Sequence, residues 1–270
     1  NHKMILEAKR RAEDANTAKS RFLSNMSHDI RTPMNAIVGF TSIAEKYSDD
    51  PVRLKDALKK IRSSGDHLLK LINDVLDMSK IESGKIVMDV KPVAVRTLVE
   101  DVCNMMAAQM QDKGIEFIVN VENIVHEFVY ADSLRINQVL LNLLGNACKF
   151  TAPGGYVKVS AVELPSTDST KAEYELRVKD NGIGMSEEFK NHAFEAFIRE
   201  HDSQGDNIQG TGLGLAICKS IVELAGGTIK VDSILGAGTE FIINIGFFIA
   251  NEEDIPKEAE NVDNISFNGE

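Results

Sequence analysis

The stretch SHDIRTPMNAI, residues 27–37, places a histidine, an acid, a threonine and a proline inside a helical pattern. Ile5, Ala8, Ala12, Ala15, Phe22, Met26, Ile30, Met34 and Ile37 recur at three- and four-residue steps, which predicts one long helix over residues 4–46. Pro33 removes a backbone donor and crowds the preceding turn, at about 3 kcal/mol in a helix interior. Packing alone gives no reason for it. Asp and Pro in KYSDDPVR, residues 46–53, then signal a turn. A second helix is expected from about Arg53 to Ile81, with Leu54, Leu58, Ile61, Leu68, Ile72 and Leu76 along one stripe. Two long antiparallel helices form a hairpin, and a hairpin alone cannot bury both stripes. Pairing of two copies into a dimeric four-helix bundle is the expected outcome, with packing on the rest of the same chain as the alternative.

After Gly84 the pattern changes. KIVMDVKPV (85–93), IEFIVNVE (115–122), HEFVYAD (126–132), YVKVSAVEL (156–164), YELRVKDN (174–181), GTIKVDS (227–233) and GTEFIINIGFF (238–248) read as strands. Residues 96–113, 132–149 and 213–225 read as helices. The fold class is therefore α+β: a helical hairpin over residues 1–84, then an α/β two-layer sandwich over 85–250. Residues 251–270 are acidic and poor in apolar side chains, and read as a disordered tail or linker. The net charge of −11 and pI near 5.1 exclude a broad basic surface for nucleic acid. The 3 cysteines, Cys103, Cys148 and Cys218, lie far apart, which argues against a disulfide framework or a zinc site. No apolar run approaches the roughly 18 residues of a membrane span.

Chemistry concentrates in the sandwich. DNGIGM, Asp180–Met185, ends a strand with glycines that permit positive φ and close approach of a ligand; an ordinary turn is the plainer reading. GTGLGLAI, residues 210–217, sets alternating glycines at a helix start, where backbone N–H groups favour phosphate. It is neither a Walker loop nor a dinucleotide fingerprint. The polar stretch HDSQGDNIQ, 201–209, reads as a lid. In DSLRINQVLLNLLGNACKFT, residues 132–151, Asn142 and Asn146 are spaced to share one helix face. An amide oxygen suits magnesium, and Lys149 near that face suits phosphate; surface asparagines are the alternative.

Together these motifs resemble the ATP-binding domain of two-component sensor histidine kinases. LRINQVLLNLLGNACKFT resembles that family's N box, DNGIGM its G1 box, FEAFIRE (194–200) its F box, GTGLGLAI its G2 box and SHDIRTPMN its H box. The resemblance spans roughly residues 20–250 and follows the family's order. It implies that Asp180 bonds the adenine amino group, Asn146 ligates magnesium and Lys149 meets phosphates, with Asn142 on the same face. Phe150 would stack on the base, and Arg199 would reach the γ-phosphate. Gly182, Gly184, Gly210, Thr211, Gly212, Leu213 and Gly214 would shape the pocket and its lid. ATP and Mg2+ are the implied cofactors.

The resemblance also gives the opening stretch a purpose. A phosphoryl acceptor must offer a neutral nitrogen lone pair, which histidine supplies near pH 7. If Asp29 takes the Nδ1 proton, Nε2 of His28 is the nucleophile. Thr32, one turn on, could position a water for dephosphorylating a partner. Pro33 leaves the carbonyl of Asp29 without its helical donor and should loosen the helix there. Relatives that hydrolyse ATP, resembling topoisomerases and heat-shock chaperones, carry a glutamate base one turn before the magnesium asparagine. Here that position is Asn142, which favours transfer to His28 over hydrolysis. The expectation is a homodimeric, cytoplasmic kinase core, membrane-anchored only through segments outside this chain. It would phosphorylate itself, pass the phosphoryl group to a response-regulator receiver aspartate and also dephosphorylate it. His2, His67, His126, His192 and His201 read as solvated or satisfied side chains.

Overall fold

The computed structural model describes residues 26–198 and 211–255. The chain divides into two compact units. One holds the residues up to Gly84 together with 211–213, and the other holds those from Lys85 together with Gly214 onward.

In the first unit, α1 is helical over residues 26–46 without interruption at Pro33. Met26 and Pro33 are buried, while His28 and Thr32 are exposed. The helix therefore turns its donor-less residue inward and its reactive-looking residues outward. Asp50 starts the second helix, α2 (Pro51–Glu82): its Oδ1 accepts from the amides of Val52 and Arg53, both at 3.1 Å. Pro51 then sits at the first helical position, where the missing donor costs nothing. The Arg53 guanidinium covers the Tyr47 ring at 4.5 Å and braces the turn. Ala57, Leu71 and Asp74 are buried on α2, while Leu58, Leu69, Ile72 and Leu76 are exposed.

In the second unit, β1 (Lys91–Ala94), β2 (Glu116–Glu122), β3 (Phe128–Ala131), β4 (Tyr156–Leu164), β5 (Lys171–Asp180), β6 (Thr228–Ile234) and β7 (Gly238–Ile249) make one sheet in the order β1-β3-β7-β5-β4-β2, with β6 beside β7. Pairing is antiparallel except for β2 with β4. Helices α3 (Val95–Asp112), α4 (Ser133–Phe150) and α6 (Gly214–Leu224) form the second layer, and a short α5 spans Glu187–His192. Along β4, β5 and β7 buried residues alternate with half-buried ones, and the buried set forms the inner face: Val157, Val159, Ala161; Ala172, Tyr174, Leu176, Val178; Phe241, Ile243, Ile245. That period of two is the signature of a sheet packed on one face only.

The expected strand at 85–93 shrinks to Lys91–Ala94. Among the described residues no strand pairs with 85–90, and Val87 and Val90 stay exposed, so their apolar alternation finds no partner there. Of the expected tail at 251–270, residues 251–255 fall within the described residues. Asn251 and Asp254 both hydrogen-bond the Tyr130 hydroxyl and pin a short 3-10 turn, Glu252–Asp254. Residues 256–270, like 1–25, lie outside the described residues.

One polar contact closes the end of α4 that carries the site. The Lys113 ammonium donates to the carbonyls of Cys148 and Lys149, at 2.6 and 2.9 Å. A cation on a helix C-terminus meets both the unpaired carbonyls and the negative end of the dipole. Lys113→Met should therefore lower the unfolding free energy by about 1–2 kcal/mol. Urea titration of the full chain checks this, and a change below a few tenths would show that water caps α4 equally well.

Candidate functional site

The glycines of DNGIGM form a corner where β5, β7 and the end of α4 meet. Asp180 closes β5, in register with Val157 on β4 and Thr239 on β7. It is 6% exposed, and its Oδ1 accepts the amide of Gly182 at 2.8 Å. A Cβ on Gly182 would lie 2.5 Å from the Phe150 carbonyl oxygen. The Ile183 amide donates to that same carbonyl at 3.3 Å. Gly184 has φ +67°, and a Cβ there would lie 2.0 Å from the Ile234 carbonyl oxygen. These glycines are present because backbone passes against backbone.

Three further residues build this corner, and the motifs did not single them out. A Cβ on Gly238 would lie 2.1 Å from the Asp180 carbonyl oxygen. Thr239 hydrogen-bonds the Asp180 carboxylate through its backbone. The buried Ser233 hydroxyl accepts from the Met185 amide and donates to the Gly238 carbonyl, both at 2.9 Å. Their stretches, GTIKVDS and GTEF, read only as strands. The available signal was the glycine opening the second of them, directly before a threonine.

Asn142 and Asn146 are both half-buried on α4. The Asn142 amide faces the start of α6, 3.7 Å from where a Cβ on Gly214 would stand. Lys149 is exposed, with its ammonium 4.9 Å from the centre of the half-buried Phe150 ring. From the F box, Phe194 packs edge-on against Phe241 at 6.3 Å, and Phe197 takes a left-handed φ of 73°. Gly212 also has a positive φ, and Leu213 is fully buried. Thr211, Gly212 and Leu213 group with the hairpin, whereas Gly214 groups with the sandwich. Arg199 and Gly210 lie outside the described residues.

The opening stretch lies in the hairpin unit. His28 Nδ1 stands 3.6 Å from Asp29 Oδ1, an ion-pair distance too long for a hydrogen bond. The histidine side chain is 78% exposed and the aspartate 17%. The Thr32 hydroxyl donates to the His28 carbonyl at 3.2 Å, keeping its oxygen available as an acceptor. His126 pairs with Glu163 at 2.6 Å and His192 with Glu195 at 2.7 Å, as satisfied side chains.

Comparison with known families matches both units. The model described as "His Kinase A (phospho-acceptor) domain" covers residues 18–84, and "Histidine kinase-, DNA gyrase B-, and HSP90-like ATPase" covers 131–247. The chain belongs to the two-component sensor histidine kinases. It is 39% identical over 238 residues to the signal transduction histidine-protein kinase BarA of Escherichia coli strain K12, covering 88% of this chain and 26% of BarA. It is 41% identical over 248 residues to the sensor protein GacS of Pseudomonas syringae pv. syringae, covering 91% of this chain and 27% of GacS. The chain thus spans about a quarter of the length of these curated histidine kinases. Among solved structures, full-length ShkA in complex with AMPPNP aligns with a TM-score of 0.61 at 31% identity, over 84% of this chain and 46% of ShkA. As in the sequence reading, no described helix of this histidine kinase chain is long and apolar enough to cross a membrane.

Burial holds the Asp180 carboxyl above its ordinary range, because desolvation outweighs the amides of Gly182 and Thr239. A carboxyl with a higher pKa folded than unfolded contributes stability while protonated, below about pH 4, and loses it as pH rises through the folded value. Ionised Asp180 is therefore a net cost to folding at neutral pH. Asp180→Asn, which keeps an acceptor for Gly182, should raise the urea midpoint at pH 7 and lose that advantage near pH 3. Equal midpoints at pH 7 would contradict the desolvation reading.

Proposed function

We propose that this chain is the catalytic core of a sensor kinase that transfers the γ-phosphoryl group of ATP to His28. The observation that carries this reading is a division of labour between two units. An exposed histidine beside an acid lies on one, and a buried aspartate in a glycine corner lies on the other. Residues 1–84 serve as the dimerisation and phosphoacceptor hairpin, 85–250 as the nucleotide domain, and 251–270 as an acidic tail or linker. Asp180 accepts the adenine amino group, and Phe150 flanks the base. Asn142, Asn146 and Lys149 face the phosphates, Arg199 reaches the γ-phosphate, and Gly182, Gly184, Gly210, Gly212 and Gly214 shape the pocket and its lid.

The residues on the phosphate side fit magnesium. Asn146 offers a hard amide oxygen from a half-buried position on α4, and magnesium keeps most of its remaining ligands as water and phosphate oxygens. When bound, the ion neutralises phosphate charge. Asp29 orients the His28 ring through Nδ1 and stabilises the positive charge that develops as Nε2 attacks phosphorus. The bond between the γ-phosphorus and the bridging oxygen breaks, and the electron pair leaves with ADP. Asn142 cannot act as a general base, so water is a poor competitor for the phosphoryl group.

A second copy completes the hairpin. Val38, Leu58, Leu69 and Leu76 are each more than half exposed, and a four-helix bundle covers such stripes. The phosphoryl group then passes to an aspartate of a response-regulator receiver, and Thr32 holds water for the reverse dephosphorylation. A likeness to the histidine kinase ThkA in complex with the response regulator TrrA supports that partner, with TM-score 0.59 and 28% identity over 83% of this chain and 60% of ThkA. The site of action is cytoplasmic, and any membrane attachment belongs to segments outside this chain.

Incubation with γ-labelled ATP and magnesium should place acid-labile, base-stable label on the protein. His28→Gln should abolish this label and leave nucleotide affinity within about twofold, because the acceptor and the pocket lie in different units. Base-stable label on His28→Gln would mean that another residue is the acceptor. Two further variants separate the roles on one helical turn. Asp29→Asn should slow labelling by on the order of 10²-fold. Thr32→Ala should label well yet remove phosphate slowly from a phosphorylated receiver. Equal loss of labelling in both would make Thr32 a structural residue of the helix.

A further inference from the structure

One row of the sheet buries polar side chains where the next row is apolar. Asp180 on β5 pairs with Thr239 on β7, and Thr239 pairs with Ser233 on β6. Side chains of paired residues share a face, so the three stand side by side on the inner face. All three are buried, and the next row of that face is Val178, Phe241 and Val231. Ser233 belongs to none of the sequence motifs. Its hydroxyl touches three groups and has one proton to give them. The oxygen accepts the Met185 amide, donates to the Gly238 carbonyl and lies 2.9 Å from Thr239 Oγ1. With the serine proton committed to the carbonyl, the third contact requires Thr239 to be the donor. The Thr239 proton is then spent on Ser233, and the Thr239 oxygen can only accept from any further neighbour. Thr239 adjoins Asp180 in the row, and its backbone bonds the Asp180 carboxylate.

We propose that Ser233 is a positioning residue for base selection: by holding the Thr239 proton it keeps the corner beside Asp180 acceptor-only, matched to the amino group of adenine and set against a keto base. The inference deepens the reading of Asp180 as the acceptor for that amino group, and rests on it. An ionised carboxylate has no proton to give, so Asp180 alone disfavours a keto oxygen. A neighbouring hydroxyl free to rotate would offer that oxygen a proton and blur the choice. Orientation by Ser233 removes this freedom. A keto base then sets its oxygen against two acceptors and leaves buried polar groups unpaired, the situation in which a hydrogen-bonding site discriminates most strongly.

The test measures affinity for magnesium-AMPPNP and for its inosine counterpart by calorimetry on the full chain. Hypoxanthine carries a keto oxygen where adenine carries the amino group, so the ratio of the two affinities reads the corner. Ser233→Ala should weaken AMPPNP, tighten the inosine analogue and lower the preference about tenfold, given the usual strength of one buried hydrogen bond. Thr239→Ser, which keeps the hydroxyl, should hold the preference within about twofold of wild type. Thr239→Val should lower it, and adding Ser233→Ala to Thr239→Val should change it less than about twofold further, because no hydroxyl is left to orient. Equal weakening of both analogues in Ser233→Ala, with the preference unchanged, makes Ser233 a structural residue only and overturns the proposal. A further tenfold loss of preference in the double variant also overturns it. If Ser233→Ala loses its cooperative urea transition, Thr239→Val against Thr239→Ser decides instead: equal preference in those two overturns the proposal. A wild-type chain that binds neither analogue, or both alike, would sink the adenine reading of Asp180 itself.

Discussion

The second unit depends on backbone meeting backbone at Asp180. The carbonyl of Asp180 lies where a side chain on residue 238 would stand, and the carbonyl of Phe150 lies where one on residue 182 would stand. Only glycine lets β7 and the end of α4 come so close to the end of β5. That approach buries the Asp180 carboxylate while leaving it an amide to bind. A buried acceptor with a fixed direction can read one donor on a ligand. In solvent the same carboxylate would exchange its partners with water.

The corner is supported from behind. Ser233 ties the G1 turn at Met185 to the carbonyl of Gly238, and the Lys113 ammonium closes the carbonyls at the end of α4. Each removes an unsatisfied backbone group that would otherwise draw water into the layer between sheet and helices. The two asparagines of α4 can then stand half-buried on a helix whose other side packs in the core through Leu140, Leu143 and Leu144.

The hairpin follows a different logic. Its helices leave large apolar side chains exposed on one side, while α1 turns Met26 and Pro33 inward and His28 outward. The proposed nucleophile, which would meet both a nucleotide and a receiver, is an exposed side chain. Pro33 is buried and offers no N–H to the carbonyl of Asp29, and the Thr32 hydroxyl adds a side-chain bond to the neighbouring carbonyl of His28.

Much of this was legible from residue order alone. Periodicity of 3.6 and of 2 separated hairpin from sandwich, and the spacing of Asn142, Asn146 and Lys149 placed them on one helix. The order of the glycine motifs pointed to the family. These are local properties, set by the steric rules of single elements. The strand at 85–93 was overestimated because apolar alternation records a preference for pairing and cannot supply the neighbouring strand. Within the expected tail, Asp254 meets Tyr130, a contact that the two residues make only once β3 and β7 are paired. Ser233, Gly238 and Thr239 became part of the corner only through sheet register, and Asp74 met Thr211 across 137 residues of chain. Such contacts depend on which distant segments come within hydrogen-bond reach, and that is decided by tertiary packing.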